Sequence, residues 1–172
     1  MSSSHETSLR LALVGPVLPF RGGVARHTTR LGRALAARCD LSTLSFATLY
    51  PQWLYPGRHQ QEPGAARPAR PGKPASVANV AYDLRAVNPL SWVAAGRRLR
   101  RQRLDAVVAV WWTAFVAPCL SVVTGLARTR TVFMCHNLVD HDASPPVRAV
   151  MQRCLARADA CVVHTPGMQR DL

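Results

Sequence analysis

The chain has 172 residues, of which 48% are hydrophobic and 18% are charged. This composition is typical of one soluble globular domain, and it excludes a fully disordered chain and a small disulfide-stapled secreted protein. The 22 basic residues outnumber the 9 acidic ones, which gives a net charge of +13. Lys73 is the single lysine, so the excess is of arginine, as a GC-rich coding bias also produces. A basic surface favours anionic partners such as phosphates, acidic lipids or nucleic acid.

The cysteine content indicates a reducing compartment. The five cysteines are odd in number and no two have C-x-x-C spacing, so buried free thiols are expected rather than a disulfide framework. Residues 1–8 lack the basic segment of a secretory signal peptide and are predicted to be a flexible N-terminus. We therefore expect a cytoplasmic protein.

One segment is long enough to span a membrane. Ala106–Ala127 contains 22 residues without a charge, and about 20 apolar residues cross a bilayer. The segment begins with β-branched residues such as Val107 and Val108, and it later contains Pro118 and Gly125. This order predicts a buried strand followed by a buried helix rather than a membrane span.

Strands and helices alternate along the chain. Apolar runs predict strands at residues 9–15, 41–46, 77–84, 105–111, 131–136 and 160–164. Helical periodicity predicts helices at residues 24–38, 89–103, 115–127 and 145–158, the last with an apolar face formed by Val147, Val150, Met151, Cys154, Leu155 and Ala158. Residues 51–76 are rich in proline and glycine, which predicts a long loop inside a single domain at residues 9–172.

This alternation predicts an α/β fold. Continuous apolar strands between helices indicate a parallel sheet of about six to seven strands with helices on both faces. Such sheets bind ligands outside the carboxyl ends of their strands. The candidate positions therefore lie at the ends of predicted strands, at residues 22–23, 111–112, 136–137 and 164–165.

The first candidate is the glycine pair Gly22-Gly23 before the first helix. Glycines let the backbone come close to a ligand, and the N–H groups at a helix start can bind an anion. Arg21 or Arg26 would add positive charge there. A tight strand-to-helix turn without a ligand is the alternative. Because neither G-x-G-x-x-G nor G-x-x-x-x-G-K-[ST] is present, a nicotinamide cofactor and a P-loop nucleotide are disfavoured.

The second candidate is the segment HNLVDHD at residues 136–142. His136 stands where a strand enters the ligand crevice, and an imidazole there can bond a sugar hydroxyl or a phosphate, or transfer a proton. A polar loop without a ligand is the alternative. Two histidines and two aspartates also suggest a metal site, but their spacing fits no standard helical ligand pair. No metal is therefore expected.

Five arginines crowd the end of the second predicted helix, at positions 97, 98, 100, 101 and 103. They spread around the helix, so one interpretation is a solvated helix end in which cations complement the helix dipole. The other is docking to acidic lipid headgroups. Nucleic acid is not expected as a partner, because no recognition helix, zinc finger or RNP-like motif accompanies the charge.

The order of these motifs resembles the N-terminal domain of family-4 retaining glycosyltransferases with the GT-B fold. LRLALVGPVLPFRGGVARHTTRLGRAL, which starts at Leu9, is similar to the family's first strand, GG loop and helix. VFMCHNLVDHD is similar to the family's HNxxxH[ED] loop, and ADACVVHT to its "ADxxVVHS"-like strand, with Thr165 where serine is common. The resemblance covers the chain except for residues 51–76 and the extreme N-terminus.

The resemblance implies one Rossmann-like, doubly wound half of a two-domain fold. It implies that Gly22 and Gly23 lie by the donor phosphates or the acceptor, and that His136 approaches the donor sugar. Together with them we predict Arg21, Asn137 and His141 as substrate- or phosphate-binding residues. No metal and no cofactor is expected besides the nucleotide sugar, which is a substrate.

The function implied is that of the acceptor-side half of a glycosyltransferase. Such an enzyme moves a hexosyl group from a nucleotide sugar to a hydroxyl acceptor, either lipid-linked or part of a cell-envelope glycan. The family's C-terminal domain, with its basic pair and E-x7-E motif, is absent from these 172 residues, so we expect the chain to be inactive alone. The alternative is a non-catalytic remnant, or a subunit that needs a separately encoded half. The arginine excess further predicts contact with the anionic surface of the inner membrane.

Overall fold

The computed structural model describes residues 8–51, 55, 59–62, 79–138 and 144–170. Within these ranges the strands are β1 Arg10–Val14, β2 Asp40–Thr48, β3 Val80–Arg85, β4 Ala106–Trp111, β5 Arg130–Cys135 and β6 Ala160–Val163. The helices are α1 Gly23–Ala36, α2 Pro89–Arg101, α3 Ala117–Ala127, α4 Pro145–Leu155 and α5 Pro166–Arg170. A 3₁₀ turn, Ala114–Val116, leads into α3.

The described strands form one sheet in the order β3-β2-β1-β4-β5-β6, and each pairs in parallel with its neighbour. In the central strand, Leu11 pairs with Leu41 of β2 on one side and with Ala106 of β4 on the other. The chain first winds outward from β1 to β3 and then crosses back to β4. The strand order therefore reverses between β1 and β4, which is where sheets of this kind open a ligand crevice.

The central strand β1 owes its position to an unbroken apolar run. Leu11, Ala12, Leu13 and Val14 are all buried, as expected of a parallel strand covered on both faces. Gly15 then lets the chain leave β1 close to its neighbour, because a Cβ there would lie 2.8 Å from Cγ2 of Val110. The loop that leads to α1 is thereby held against β4.

The helices divide between the two faces of the sheet. Right-handed crossovers place α1 on one face and α2, α3 and α4 side by side on the other. The helix α2 begins at Asn88, whose side chain accepts a hydrogen bond of 3.0 Å from the Leu90 N–H. Each helix starts near the carboxyl ends of the strands, so the helix N-termini and the candidate site share one edge.

The predicted fold class is confirmed, because the described residues form a six-stranded parallel sheet flanked by helices. The interpretation of Ala106–Ala127 as a strand followed by a helix is confirmed as well, since these residues form β4 and α3. In the described part of the chain, no helix combines the length and the apolar character needed to cross a membrane.

The predicted apolar face of α4 is only partly buried. Met151 and Leu155 are buried and Cys154 is half-buried, whereas Val147 is 38% and Val150 48% exposed. The helix α4 connects β5 and β6 at one side of the sheet, and within the described residues α3 is its one neighbouring helix. The part of its apolar face that α3 and the sheet do not cover therefore stays exposed. Periodicity identifies the apolar face but not whether another element covers it.

The predicted loop at 51–76 lies mostly outside the described residues, as do residues 1–7 and His141. Its described part contacts the loop after β1, where Phe20 and Gln61 form an isolated antiparallel bridge. All five cysteines are free thiols. Cys119 and Cys135 are buried, while the other three are half-buried, so the expectation of buried thiols holds fully for only two.

Candidate functional site

The glycine pair opens directly onto solvent at the carboxyl edge of the sheet. Gly22 has a φ of +108°, which side chains rarely tolerate, and a Cβ on Gly22 or Gly23 would meet no atom within 4 Å. No side chain caps the N-terminus of α1, which begins at Gly23. The first N–H groups of a helix lack intrahelical partners, so this end can receive an anion.

The loop before the glycines is held by neighbouring elements. The Val17 N–H donates to Oγ of Ser45 (3.2 Å), and the Leu18 N–H donates to Oγ1 of Thr29 (2.9 Å). Oη of Tyr82 donates to the carbonyl of Leu18 at 2.6 Å. These bonds reach the loop from β2, α1 and β3. The helix start is therefore fixed before any ligand binds.

Two arginines lie beside this opening, and one carboxylate holds both. Arg21 is 3.7 Å and Arg26 is 3.1 Å from Glu62, measured between nitrogen and carboxylate oxygen. The backbone N–H of Arg21 also donates to the backbone carbonyl of Gln60 at 2.9 Å. Sequence reasoning placed Arg21 and Arg26 by the glycines correctly but missed Glu62, because it lies in the irregular loop. An incoming anion would compete with this carboxylate for both guanidinium groups.

His136 follows β5 immediately and lies at the same edge. Its N–H donates to the Trp111 carbonyl at 2.8 Å, which continues the β4–β5 ladder by one residue. Its ring is 4.8 Å from that of His27 on α1 and 4.8 Å from that of His164 after β6, between centroids. The rings of His27 and His164 are 5.3 Å apart, so the three imidazoles form one cluster.

The surroundings of two rings in this three-histidine cluster, those of His136 and His27, favour their neutral forms. Burial, with smaller contributions from the neighbouring His27 and His164, lowers the pKa of His136 from 6.5 to about 4. Burial also lowers the pKa of His27, with smaller contributions from His164 and Arg30. Near neutral pH both rings are therefore uncharged, and each offers one N–H donor and one acceptor nitrogen.

Two nitrogens of the cluster are buried without a hydrogen-bond partner among the described residues: Nδ1 of His27 and Nε2 of His136. Buried polar atoms in proteins are nearly always hydrogen-bonded. Hydroxyl groups or phosphate oxygens of a ligand would satisfy both atoms. The ring of His27 meets the other two edge to face, while the rings of His136 and His164 are tilted by 39°. No group of three His, Cys, Asp or Glu side chains in the described ranges is placed to hold a metal ion.

The remaining candidates lie around this cluster. Nδ2 of Asn137 donates to the Trp112 carbonyl at 3.3 Å, which fixes the amide at the rim. Trp112 is buried, and its Nε1 donates to Oη of Tyr50 at 3.1 Å, so this indole packs rather than lining an open pocket. His141 lies outside the described residues.

Sequence reasoning found His136, noted His164 only as a strand end, and missed His27. The available signal was spacing: His27 lies four residues after Gly23, one helical turn into α1. A side chain at that position stays close to the helix start. Its proximity to His136 depends on how α1 packs against β1 and β4, which periodicity does not reveal.

A comparison with protein families identifies this architecture. The family model described as Glycosyltransferase Family 4 matches residues 21–172. The chain belongs to this family. The match includes Gly22, Gly23 and the three histidines of the cluster, and it agrees with the resemblance noted from the motifs.

The other comparisons add little. No curated protein matches the chain. Among solved structures, a protein of unknown function from Vibrio parahaemolyticus is similar over 96% of this chain and 98% of its own, with 11% identity and a TM-score of 0.38. A likeness at that score carries no argument about fold or function.

Proposed function

We propose that this chain is the acceptor-side half of a glycosyltransferase that moves a hexosyl group from a nucleotide sugar to a hydroxyl acceptor, with retention of configuration. Membership of Glycosyltransferase Family 4 supports the reaction class. The observation that carries the assignment is that two kinds of ligand-binding group lie together at the carboxyl edge of the sheet. There the open, uncapped start of α1 lies beside histidine nitrogens that lack partners among the described residues.

Each part of this edge has a role in the proposed reaction. The bond between the anomeric carbon and the diphosphate breaks, and negative charge builds on the departing nucleoside diphosphate. The N–H groups at Gly22 and Gly23, with Arg21, stabilise that charge. Nε2 of His136 bonds a hydroxyl of the transferred sugar, while Asn137 and His141 belong to the same substrate-binding loop. The nucleotide sugar is a substrate, and we propose no cofactor or metal.

We propose that another domain binds most of the nucleotide. In this proposal a second α/β domain closes over the open edge and supplies most contacts to the nucleoside diphosphate, so the chain alone is inactive. That domain is either covalently attached or a separate partner chain. The competing proposal is a non-catalytic remnant. A reading frame for such a domain directly after codon 172 would favour the enzyme over the remnant.

The proposed location is the cytoplasmic face of the inner membrane, as a peripheral protein. The acceptor is then lipid-linked or part of a cell-envelope glycan. The net charge of +13 supports this proposal, because anionic lipids attract basic surfaces.

The test is transfer by the enzyme completed with its second domain, measured with a panel of nucleotide sugars. His136→Ala is expected to lower kcat/KM by about tenfold to a hundredfold, the worth of one lost hydrogen bond to the sugar. His59→Ala is the matched control, because His59 is exposed and outside the cluster, and it is expected to leave turnover unchanged. Unchanged turnover in a folded His136→Ala enzyme would remove His136 from the site.

A further inference from the structure

A groove runs between the parallel helices α3 and α4, on the face of the sheet opposite α1. The side chains of Ser121 and Cys154 bridge its middle at 2.9 Å between Oγ and Sγ. Toward the helix N-termini lies an apolar hollow of about 390 Å³, and toward the C-termini a polar hollow of about 420 Å³. The two hollows lie on either side of this bridge, and together they are called the α3–α4 groove, with an apolar end and a charged end.

The apolar end is formed by exposed hydrophobic side chains. Val147 and Val150 of α4 face Phe115 and Pro118, which lie in the 3₁₀ turn and the first turn of α3. These two valines are among the most exposed large hydrophobic residues of the described chain. They belong to the apolar face that periodicity predicted to be buried, so the fold leaves this part of the face uncovered by any described element.

The charged end is formed by arginines without acidic partners. Arg128, Arg130 and Arg157 line the polar hollow, and none forms a salt bridge within the described residues. Asp159 also lines it, where its carboxylate accepts a bond of 2.7 Å from the Thr131 N–H. Neither α3 nor α4 contains an acidic residue. The carbonyls at the helix C-termini attract cations, yet three guanidinium groups against one carboxylate leave a net positive end.

The cationic surface extends to the neighbouring helix. Arg97, Arg100 and Arg101 of α2 are exposed, and α2 packs against α3 on the same face of the sheet. An extended anionic partner can therefore contact α2, α3 and α4 together, whereas a mononucleotide or a free phosphate would contact one hollow only. An apolar end with exposed valines and a charged end with arginines on one face match the boundary between acyl chains and phosphates in a bilayer.

We propose that the α3–α4 face docks on the surface of an anionic phospholipid bilayer. Val147 and Val150 enter the boundary of the acyl chains, and Arg128, Arg130 and Arg157 bind lipid phosphates. This proposal rests on the proposed peripheral location and adds the face of the protein that contacts the membrane. Since α4 is the next helix after β5, which His136 directly follows, the apolar end of α4 lies toward the candidate site, and a lipid-linked acceptor would reach that edge from the membrane.

The experiment is flotation of the full chain with two kinds of vesicle, one of phosphatidylcholine alone and one of phosphatidylcholine mixed with phosphatidylglycerol. Wild-type protein is expected to bind the mixed vesicles and to dissociate at high salt. Arg130→Gln/Arg157→Gln is expected to weaken binding about tenfold or more. The charge-matched control is Arg33→Gln/Arg38→Gln, in the last turn of α1 and just after it, because α1 lies on the opposite face of the sheet; this variant is expected to bind like the wild type.

A second variant isolates the apolar contribution. Val147→Ser/Val150→Ser is expected to weaken binding several-fold, and because both side chains are exposed its circular dichroism and unfolding midpoint should stay close to those of the wild type. Equal losses in the α1 control, or loss only in Arg100→Gln/Arg101→Gln, would assign binding to general charge or to α2 and overturn the proposal. Self-association through the valines without vesicle binding would overturn it too. Sugar transfer is measured separately, so failure of docking leaves the proposed reaction intact.

Discussion

The helix α3 has two neighbours on one face of the sheet, and it packs against them differently. Toward α2, Gly96 brings the backbones so close that a Cβ there would lie 2.6 Å from Cβ of Leu126. Toward α4, contact is concentrated at Ser121 and Cys154, with a hollow on either side. The glycine of α2 lies directly against α3, whereas the side chains of Ser121 and Cys154 meet between α3 and α4. Close approach at Gly96 closes the surface between α2 and α3, whereas the surface between α3 and α4 stays open on either side of Ser121 and Cys154.

The largest expected effect concerns the two sides of α4. Met151 is fully buried, so Met151→Ala should lower the free energy of unfolding by about 2–5 kcal/mol, through lost burial and a cavity. Val150→Ala removes a side chain that is 48% exposed and should cost less than about 1 kcal/mol. Urea unfolding measures both. Similar losses would mean that Val150 is covered in solution and that the groove is closed.

The next effect tests the close contact between α2 and α3. Gly96→Ala should destabilise the fold by about 1–3 kcal/mol, because the added methyl group meets the Val123 carbonyl oxygen at 2.9 Å as well as Leu126. Gly125→Ala is the matched control, since a Cβ there meets no atom within 4 Å. It should be neutral or stabilise by up to about 1 kcal/mol, because alanine is the better helix former. Tolerance of Gly96→Ala would contradict the close packing described.

A smaller effect comes from His136 and His27 at the carboxyl edge of the sheet, which make the stability of the fold depend on pH. The folded pKa of His136, about 4, lies below its ordinary value of 6.5, so the unfolded chain binds more protons between these values. The contribution of His136 to stability is full above pH 6.5 and is lost as the pH falls toward 4. His27, whose pKa is lowered too, adds an effect of the same sign.

Thermal unfolding across this pH range checks the prediction. His136→Asn should flatten this dependence of stability on pH. An unchanged slope in His136→Asn would show that this imidazole is not held neutral by its surroundings.

The sequence predicts the sheet well and the site in part. The β-branched run before Trp111 predicts β4, and a histidine directly after β5 predicts its place at the ligand edge, because strand ends follow from local pattern. His27 and Glu62 join the site only through tertiary packing of a helix and an irregular loop. The exposure of Val147 and Val150 likewise depends on which neighbour covers α4. The pattern within one helix or strand therefore predicts which of its faces is apolar. Contacts between elements determine whether that face is buried and which side chains meet at the site.

The most direct test of the central claim is an NMR titration of the enzyme completed with its second domain, in which the histidines and glycines of this chain are labelled, with UDP-glucose and with GDP-mannose. We expect at least one of these nucleotide sugars, at millimolar concentration, to shift the ring signals of His136 and His27 together with the amide signals of Gly22 and Gly23. The exposed His59 should not respond. Unchanged signals in the three-histidine cluster, or shifts confined to the arginine end of the α3–α4 groove, would contradict the assignment of this edge as the sugar-donor site.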